Sequence, residues 1–441
     1  MAKTSSRRTL VAASIGNFGE IYDFAIFGFS VPILAIHFFP GTDRTAALLS
    51  TFAVYAAAFF ARPLGGLIFG FMADQVGRIK VMSATVWLMA AGTALIGLLP
   101  TYEELGIAAP VLLVMCRIAQ GLAMGGETTS STTYVIESAP DDRRGRWVGV
   151  TWFFAYMPNA FVAVLLLALQ IAVGSSAYAD WVWRVPFLAG GLIGFVGFWL
   201  RRNLDDPDEF KQASSKTRDR SPLVAATHSG LRCMLHVMML QPVLAVGSYL
   251  LLGFMYTFLV REARLAPAMA LFSNAAAIMI MAALIPAGGI LSDRFGRKRV
   301  LSLGAAWVAL TAYPAVQLAA SGTLAYAVAG QALVALGVGL YGGAAFTAMP
   351  ELFPTSFRAT GHAVSYQLSV AIFGGTTPFI AAWLVKAFGS PLAPGFYAAL
   401  IAVAGLIAVQ FVPETKGVRL RTSVDTTASP QSNGRAVHDP T

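Results

Sequence analysis

Five ionisable side chains lie within long apolar stretches in the first half of the chain. They are three carboxylates and two guanidinium groups: Glu20, Asp23, Arg62, Arg117 and Glu127. A charge at the centre of a lipid bilayer costs roughly 3 kcal/mol or more, so such residues usually face a cavity and have polar partners. Two ion pairs would leave one carboxylate without a fixed positive partner. A carboxyl group of that kind can gain and lose a proton, which is the chemistry of proton coupling.

The spacing of these residues predicts that they share helix faces. Asn17, Glu20 and Asp23 recur every three residues, so they lie along one side of a helix. A second polar stripe, with spacings of three and four, runs over 117–134 and includes Gln120. A polar stripe facing lipid would be very unfavourable, so we expect both faces to line the interior of a helical bundle.

These patterns predict roles for individual residues. We expect the coupled proton on Asp23 or Glu20, with Glu127 as a third candidate. An organic anion needs a fixed positive charge, and arginine offers a bidentate match to a carboxylate. The alternative is that the five charges form a purely structural ion-pair network. The candidate substrate-binding residues are Arg117, Arg62, Asn17, Gln120, Tyr341 and Gln331. Other neutral donors of the second half that could complete a cavity are Tyr249, Tyr256, Asn274, Gln317, Tyr366 and Gln367.

A short polar sequence occurs twice, half a chain apart. Residues 70–80 and 289–299 share the pattern Gly-x-x-x-Asp-x-x-Gly-Arg, and a second pair of turns repeats over 137–145 and 351–361. Such a duplication indicates two similar bundles that rock against each other. We expect the charges of these turns to form a cytoplasmic gate; the alternative is tight turns with solvated charges. The expected gate residues are Asp74, Arg78, Asp293, Arg297, Glu137, Arg144, Glu351 and Arg358.

The composition places most of the chain in a membrane. Of 441 residues, 56% are hydrophobic and 12% are charged, whereas soluble domains carry about 25% charged residues. Twelve continuous apolar stretches lie near or above the roughly 20 residues needed to cross a bilayer. They are about 12–39, 47–73, 79–99, 108–138, 147–174, 184–202, 232–260, 267–292, 299–320, 323–350, 358–388 and 392–412. The predicted fold is an all-α membrane protein with twelve transmembrane helices in two pseudo-symmetric six-helix bundles.

The positions of Lys and Arg predict the topology. With the N-terminus in the cytoplasm, most of the 31 Lys and Arg residues lie in cytoplasmic loops and ends. We therefore expect a multi-pass protein of the cell inner membrane with both termini cytoplasmic, and no nucleic-acid partner despite the net charge of +9. The predicted divisions are an N-terminal bundle at 1–203, a cytoplasmic linker at 204–231, a C-terminal bundle at 232–417 and a disordered tail at 418–441.

Enzymatic chemistry and cofactors are not expected. Cys116 and Cys233 are far apart in sequence, no metal-ligand spacing is evident, and there is no nucleotide-binding Walker motif. The buried charges show no pairing of a nucleophile with a base. The expected partners are protons, a small organic anion and the lipid bilayer, and the expected state is a monomer.

Several motifs resemble those of known transporters. The repeated turns resemble the loop signature of the major facilitator superfamily, and 350–361 and 413–417 resemble its sugar-porter-like branches. More specific motifs resemble the metabolite:proton symporter family, which includes carriers of citrate, tricarballylate, α-ketoglutarate, shikimate and proline/betaine. These motifs lie over 16–24, 62–66, 117–127 and 183–187.

The resemblance implies a proton-coupled symporter that imports a small organic acid, such as a di- or tricarboxylate, by alternating access. The segment 151–159 is more aromatic than the glutamine-bearing segment of citrate-type members, which argues against citrate itself. The rival hypotheses are a drug or metabolite:proton antiporter on the same fold and, more remotely, a non-transporting membrane sensor.

Overall fold

The computed structural model describes residues 21–41, 43–76, 78–125, 132–133, 135–136, 139–201, 222–354 and 358–418. Within them we number twelve long helical segments in chain order. They are α1 (Ile21–Phe38), α2 (Arg44–Val76), α3 (Arg78–Leu98), α4 (Ala108–Ala123), α5 (Arg144–Val173), α6 (Arg184–Arg201), α7 (Pro222–Tyr249, continued by Leu250–Phe254 and Met255–Arg261), α8 (Pro267–Phe295), α9 (Arg297–Ala319), α10 (Leu324–Glu351), α11 (Arg358–Ser369, continued by Val370–Gly375 and Thr377–Phe388) and α12 (Ala393–Phe411). The all-α class predicted from the apolar stretches is confirmed.

The outer surfaces of these helices are apolar. Among the described helices, nine are long and apolar enough to cross a membrane, and α3, α4 and α6 contain shorter apolar helices. Large apolar side chains such as Leu310 and Leu400 are 79% and 68% exposed. Lipid tails can surround such side chains, while the helices satisfy their own backbone hydrogen bonds.

We call α1–α6 the N-terminal half and α7–α12 the C-terminal half. The face that carries the α2–α3 and α8–α9 turns is called the inner face, and the opposite face is called the outer face. The helix α7 begins at Pro222, so the end of the stretch expected to form a linker is helical.

Close backbone contacts fix α2 against α4. A methyl group added at Gly121 of α4 would lie 2.0 Å from the carbonyl oxygen of Ala58, and one added at Gly65 of α2 would lie 1.8 Å from that of Leu122. Only glycine allows helices to approach so closely, as is common in membrane bundles. This contact sets the register between the helices that carry Arg62 and Arg117.

The two halves meet near both faces. Near the inner face, a methyl group on Gly145 of α5 would lie 2.3 Å from the carbonyl oxygen of Gly289 of α8. Toward the outer face, Gly28 of α1 faces the carbonyl oxygen of Leu252, and Gly375 packs against α2. Both of the latter contacts fall at π-helical turns of α7 and α11, a local irregularity that often marks functional sites.

Candidate functional site

Asp23 on α1 lies in a buried hydrogen-bonded network. Arg117 Nη1 of α4 lies 3.2 Å from Asp23 Oδ2. The other carboxylate oxygen, Oδ1, accepts hydrogen bonds from Gln120 Nε2 and Thr93 Oγ1, each at 2.7 Å. Gln120 Oε1 in turn accepts from Arg117 Nη1 at 2.9 Å. The network joins α1, α3 and α4 and pairs a charge that would be very unfavourable if buried alone.

Aromatic rings cover the guanidinium of Arg117. Its Cζ lies 4.4 Å from the ring centre of Phe24 and 4.3 Å from that of Phe27. Its Nε and Nη2 atoms have no hydrogen-bond partner among the residues that the structure describes. Arg117 is fully buried and does not line the central cavity. The structure therefore places the residue that we expected to contact substrate in an internal pair with Asp23.

A cavity of about 90 Å³ lies between the two halves. Its walls come from α1, α2, α5, α7 and α11, with Met124 just beyond the end of α4. The space is on the scale of a few water molecules or one small solute. The aromatic side chains that line it are Phe24, Tyr55, Trp152, Tyr156, Tyr249 and Tyr366.

Of the described residues that line this cavity, Arg62 alone carries a charge. Its Cζ lies 4.2 Å from the ring centres of both Phe24 and Phe59. Its Nη2 lies 3.7 Å from the sulfur of Met124, and its Nε has no partner in the described part of the chain. Arg62 forms no ion pair with a described residue. A buried guanidinium in this position can bind a carboxylate.

Three further polar residues line the cavity with unpaired atoms. Trp152 Nε1, Gln241 Oε1 and Gln367 Oε1 are buried and have no hydrogen-bond partner among the described residues. Gln367 was among the neutral donors expected from the sequence, but Trp152 and Gln241 were not identified as binding residues. The available signal for Gln241 was an isolated amide beside a proline in an apolar helix.

Two predicted substrate contacts lie elsewhere. Tyr341 donates its hydroxyl hydrogen to the carbonyl oxygen of Leu240 at 2.7 Å. Gln331 Oε1 accepts from Asn274 Nδ2 at 2.8 Å, and its Nε2 donates to Ser273. Neither residue lines the cavity, and both hold the C-terminal half together. The candidates that lie outside the described residues are Asn17, Glu20 and Glu127.

On the inner face, Asp293 of α8 lies at the N-terminus of α5. Its two carboxylate oxygens accept backbone hydrogen bonds from Gly145 at 2.8 Å and from Arg146 at 2.9 Å. The positive end of the helix dipole favours a carboxylate there. Arg297 supports this arrangement, because it pairs with Asp293 at 2.6 Å and with Glu351 at 3.1 Å.

A second inner-face link involves Arg144 and the end of the described chain. Arg144 Nη1 lies 3.7 Å from Glu351 and donates to the carbonyl oxygen of Val418 at 2.8 Å. Thr415 donates to Glu351 at 2.6 Å, and Arg358 is buried at the start of α11. Glu137 and the side chains of Asp74 and Arg78 lie outside the described residues. The gating role of the eight residues expected from the repeated turns stays a prediction.

On the outer face, two cations of the C-terminal half reach the start of α2. Lys386 of α11 lies 2.6 Å from Asp43, and Arg261 of α7 donates to the carbonyl oxygen of Arg44 at 3.1 Å. The hydrogen bond from Lys386, together with two backbone bonds from the first turn of α2, lowers the pKa of Asp43 to about 2. The halves are therefore linked on both faces, with the cavity between the two closures.

Comparisons with known proteins agree with this geometry. The sugar (and other) transporter family model matches residues 9–206 and again 200–423. The proline/betaine transporter of Escherichia coli (strain K12) is 33% identical over 422 residues, which cover 93% of this chain and 84% of that protein. The glycine betaine/proline/ectoine/pipecolic acid transporter OusA of Dickeya dadantii (strain 3937) is 33% identical over 435 residues, covering 94% and 85%.

A solved structure shares the fold. The proton:xylose symporter XylE of the major facilitator superfamily superimposes with a TM-score of 0.69 at 19% identity, covering 95% of this chain and 98% of that chain. The predicted fold of twelve transmembrane helices in two bundles is confirmed, as is the resemblance to major facilitator transporters. The chain therefore belongs to the sugar (and other) transporter family.

Proposed function

We propose that this protein is a proton-coupled symporter that imports a small zwitterionic solute of the proline or betaine kind by alternating access. The observation that carries the proposal is Arg62, a buried guanidinium on the cavity wall that is not paired with a described residue. One guanidinium matches one carboxylate. The relatives named as proline/betaine transporters support the same class of solute.

A zwitterion fits the cavity better than the di- or tricarboxylate that we expected from the sequence. Arg62 is the only charge among the described lining residues. A second or third carboxylate would therefore be buried without a positive partner, which is strongly unfavourable. A zwitterion carries its own positive charge, which aromatic rings and amide oxygens can stabilise.

The ring of Phe24 supports a coupling between the substrate and the proton. The centre of this ring lies 4.2 Å from the Cζ atom of Arg62 on the cavity wall and 4.4 Å from the Cζ atom of Arg117 in the buried pair with Asp23. When Asp23 takes up a proton, it no longer offsets the charge of Arg117, so the positive potential at the cavity rises. A substrate carboxylate then binds more tightly, and by linkage the bound carboxylate favours protonation of Asp23. Symport requires a coupling of this sign.

Alternating access requires the two closures to open in turn. Release of Asp293 from the N-terminus of α5 would open the inner face, and separation of Lys386 from Asp43 would open the outer face. The excess of Lys and Arg in the loops of the inner face supports a cytoplasmic inner face, an inner-membrane location and cytoplasmic termini. We propose that one chain performs the whole cycle as a monomer.

Uptake into proteoliposomes tests this function. Purified protein is reconstituted, an inward-directed proton gradient is imposed, and accumulation of radiolabelled proline, glycine betaine and citrate is measured. We expect the zwitterions to accumulate and citrate to remain at the level of empty liposomes. Accumulation of citrate alone would contradict the substrate class, and movement of solute against the proton flow would favour the antiporter.

A further inference from the structure

We propose that Gln241 and Gln367 bind the substrate's ammonium group, so that the cavity prefers zwitterions whose nitrogen carries hydrogen over those whose nitrogen is fully methylated. This inference rests on the proposed function, because it names the subclass of zwitterion that the same cavity would select.

The first observation is that both glutamines lack partners. Gln241 of α7 is 1% exposed and Gln367 of α11 is 3% exposed. The Oε1 atom of each has no hydrogen-bond partner, and neither side chain bonds to another described residue. Buried amides are nearly always hydrogen-bonded in proteins. Two unpaired amides on one cavity therefore point to a ligand that supplies the missing hydrogens.

The second observation is that unpaired donors lie on the opposite half. Arg62 Nε of α2 and Trp152 Nε1 of α5 are buried and have no acceptor among the described residues, and both residues line the same cavity. Donors from the N-terminal half suit a carboxylate, and acceptors from the C-terminal half suit an N–H group. An amino or imino acid would satisfy both sets and would bridge the two halves.

The third observation is that protein groups already cover much of the aromatic surface. Trp152 stacks on Phe346 with ring centres 3.6 Å apart, and Phe24 has both guanidinium groups against it. Tyr249 packs edge-on to Phe59. A quaternary ammonium ion has no N–H and is recognised mainly by open aromatic faces. The cavity is thus better equipped to bind N–H groups than to enclose methyl groups.

A methylation series tests this selectivity on the full-length protein. Proline, N-methylproline and N,N-dimethylproline share the ring and the carboxylate, but the cation carries two, one and no N–H groups. Competition with radiolabelled proline gives their affinities. For the wild type we expect dimethylproline to bind roughly tenfold or more weakly than proline, since a buried acceptor would be left unpaired.

Leucine substitutions identify the residues responsible. Gln241→Leu and Gln367→Leu should each weaken proline binding by roughly tenfold and weaken dimethylproline binding much less, so that the affinity ratio between the two compounds falls; the remaining dimethylproline binding shows that the variants fold. The control is Gln170→Leu, a buried glutamine that does not line the cavity; its side chain bonds to Tyr256, and its Oε1 has no partner among the described residues. This control should keep the wild-type ratio between proline and dimethylproline.

Two results would overturn the inference alone. The first is that the wild-type protein binds dimethylproline as tightly as proline. The second is that the leucine variants bind all three compounds more weakly by the same factor. If none of the three compounds binds or is transported, the proposed function fails together with the inference.

Discussion

Replacing Asp293 with asparagine tests whether the inner-face closure holds the two halves together. Asp293 accepts two backbone hydrogen bonds from the start of α5, at 2.8 and 2.9 Å. Asparagine keeps one acceptor oxygen, so the variant loses one of these bonds and the negative charge at a positive helix end. A hydrogen bond to a charged group contributes about 1.5–3 kcal/mol. We therefore expect a shift of about 2 kcal/mol, roughly thirtyfold, toward a conformation open at the inner face.

Distances between two spin labels measure this opening. Asp142 and Arg299 are exposed on the inner face and lie in opposite halves, so cysteines at these positions can carry the labels after Cys116 and Cys233 have been replaced. Electron paramagnetic resonance then gives the distance distribution in detergent or lipid. Asp293→Asn should increase the population at long distance relative to the parent protein.

Glu414 provides a matched control. It accepts backbone hydrogen bonds from Arg297 at 2.8 Å and Lys298 at 3.1 Å, so it caps α9 as Asp293 caps α5, but within one half. Partial burial acts to raise the pKa of Glu414, yet these backbone donors and that of Lys416 hold it below its ordinary value. Glu414→Gln should leave the distances unchanged. Unaltered distances in Asp293→Asn, or equal changes in both variants, would refute the role of Asp293 in closure.

Three further predictions concern the cavity, the outer face and the packing. Arg62→Gln should weaken substrate binding by about tenfold or more, because a charge-assisted bond is lost; wild-type affinity in a competition assay would contradict the assignment. The pKa of Asp43 in the folded protein is lowered to about 2, so its stabilising link to Lys386 is fully present above the ordinary pKa of 3.8 and is lost as the pH falls through about 2. Distances between spin labels on the outer ends of α2 and α11 should therefore stay constant at every pH above about 4. Gly121→Ala should lower the free energy of unfolding by about 1–3 kcal/mol through overpacking. Gly41→Ala, where no described atom beyond the adjacent residues lies within 4 Å of the added methyl group, should leave the thermal midpoint unchanged.

Much of the fold and part of the site followed from the sequence. Continuous apolar stretches predicted the spanning helices, because a bilayer leaves few other ways to satisfy the backbone. The three-and-four spacing placed Arg117 and Gln120 on one face of α4, and the structure brings both to Asp23. These inferences succeeded because they depend on local periodicity alone.

The division of roles between the two arginines did not follow from the sequence. Arg62 and Arg117 both occur in apolar helices, and only the register set by the glycine contacts of α2 and α4 decides which one reaches the cavity. The same limit applies to the amides of the C-terminal half. Gln331 is paired with Asn274, whereas the oxygen of Gln241 has no partner within the described ranges, and that difference depends on tertiary packing.

The most direct test of proton coupling compares two transport modes in the same Asp23→Asn protein. Exchange of labelled for unlabelled proline across the liposome membrane needs binding and alternating access, but no net movement of protons. Accumulation driven by a pH gradient needs a carboxyl group that gains and loses a proton. We predict that Asp23→Asn retains exchange and loses gradient-driven accumulation, while Asp180→Asn, a change at an exposed carboxylate, retains both. Wild-type accumulation by Asp23→Asn would contradict the assignment of the coupled proton to Asp23.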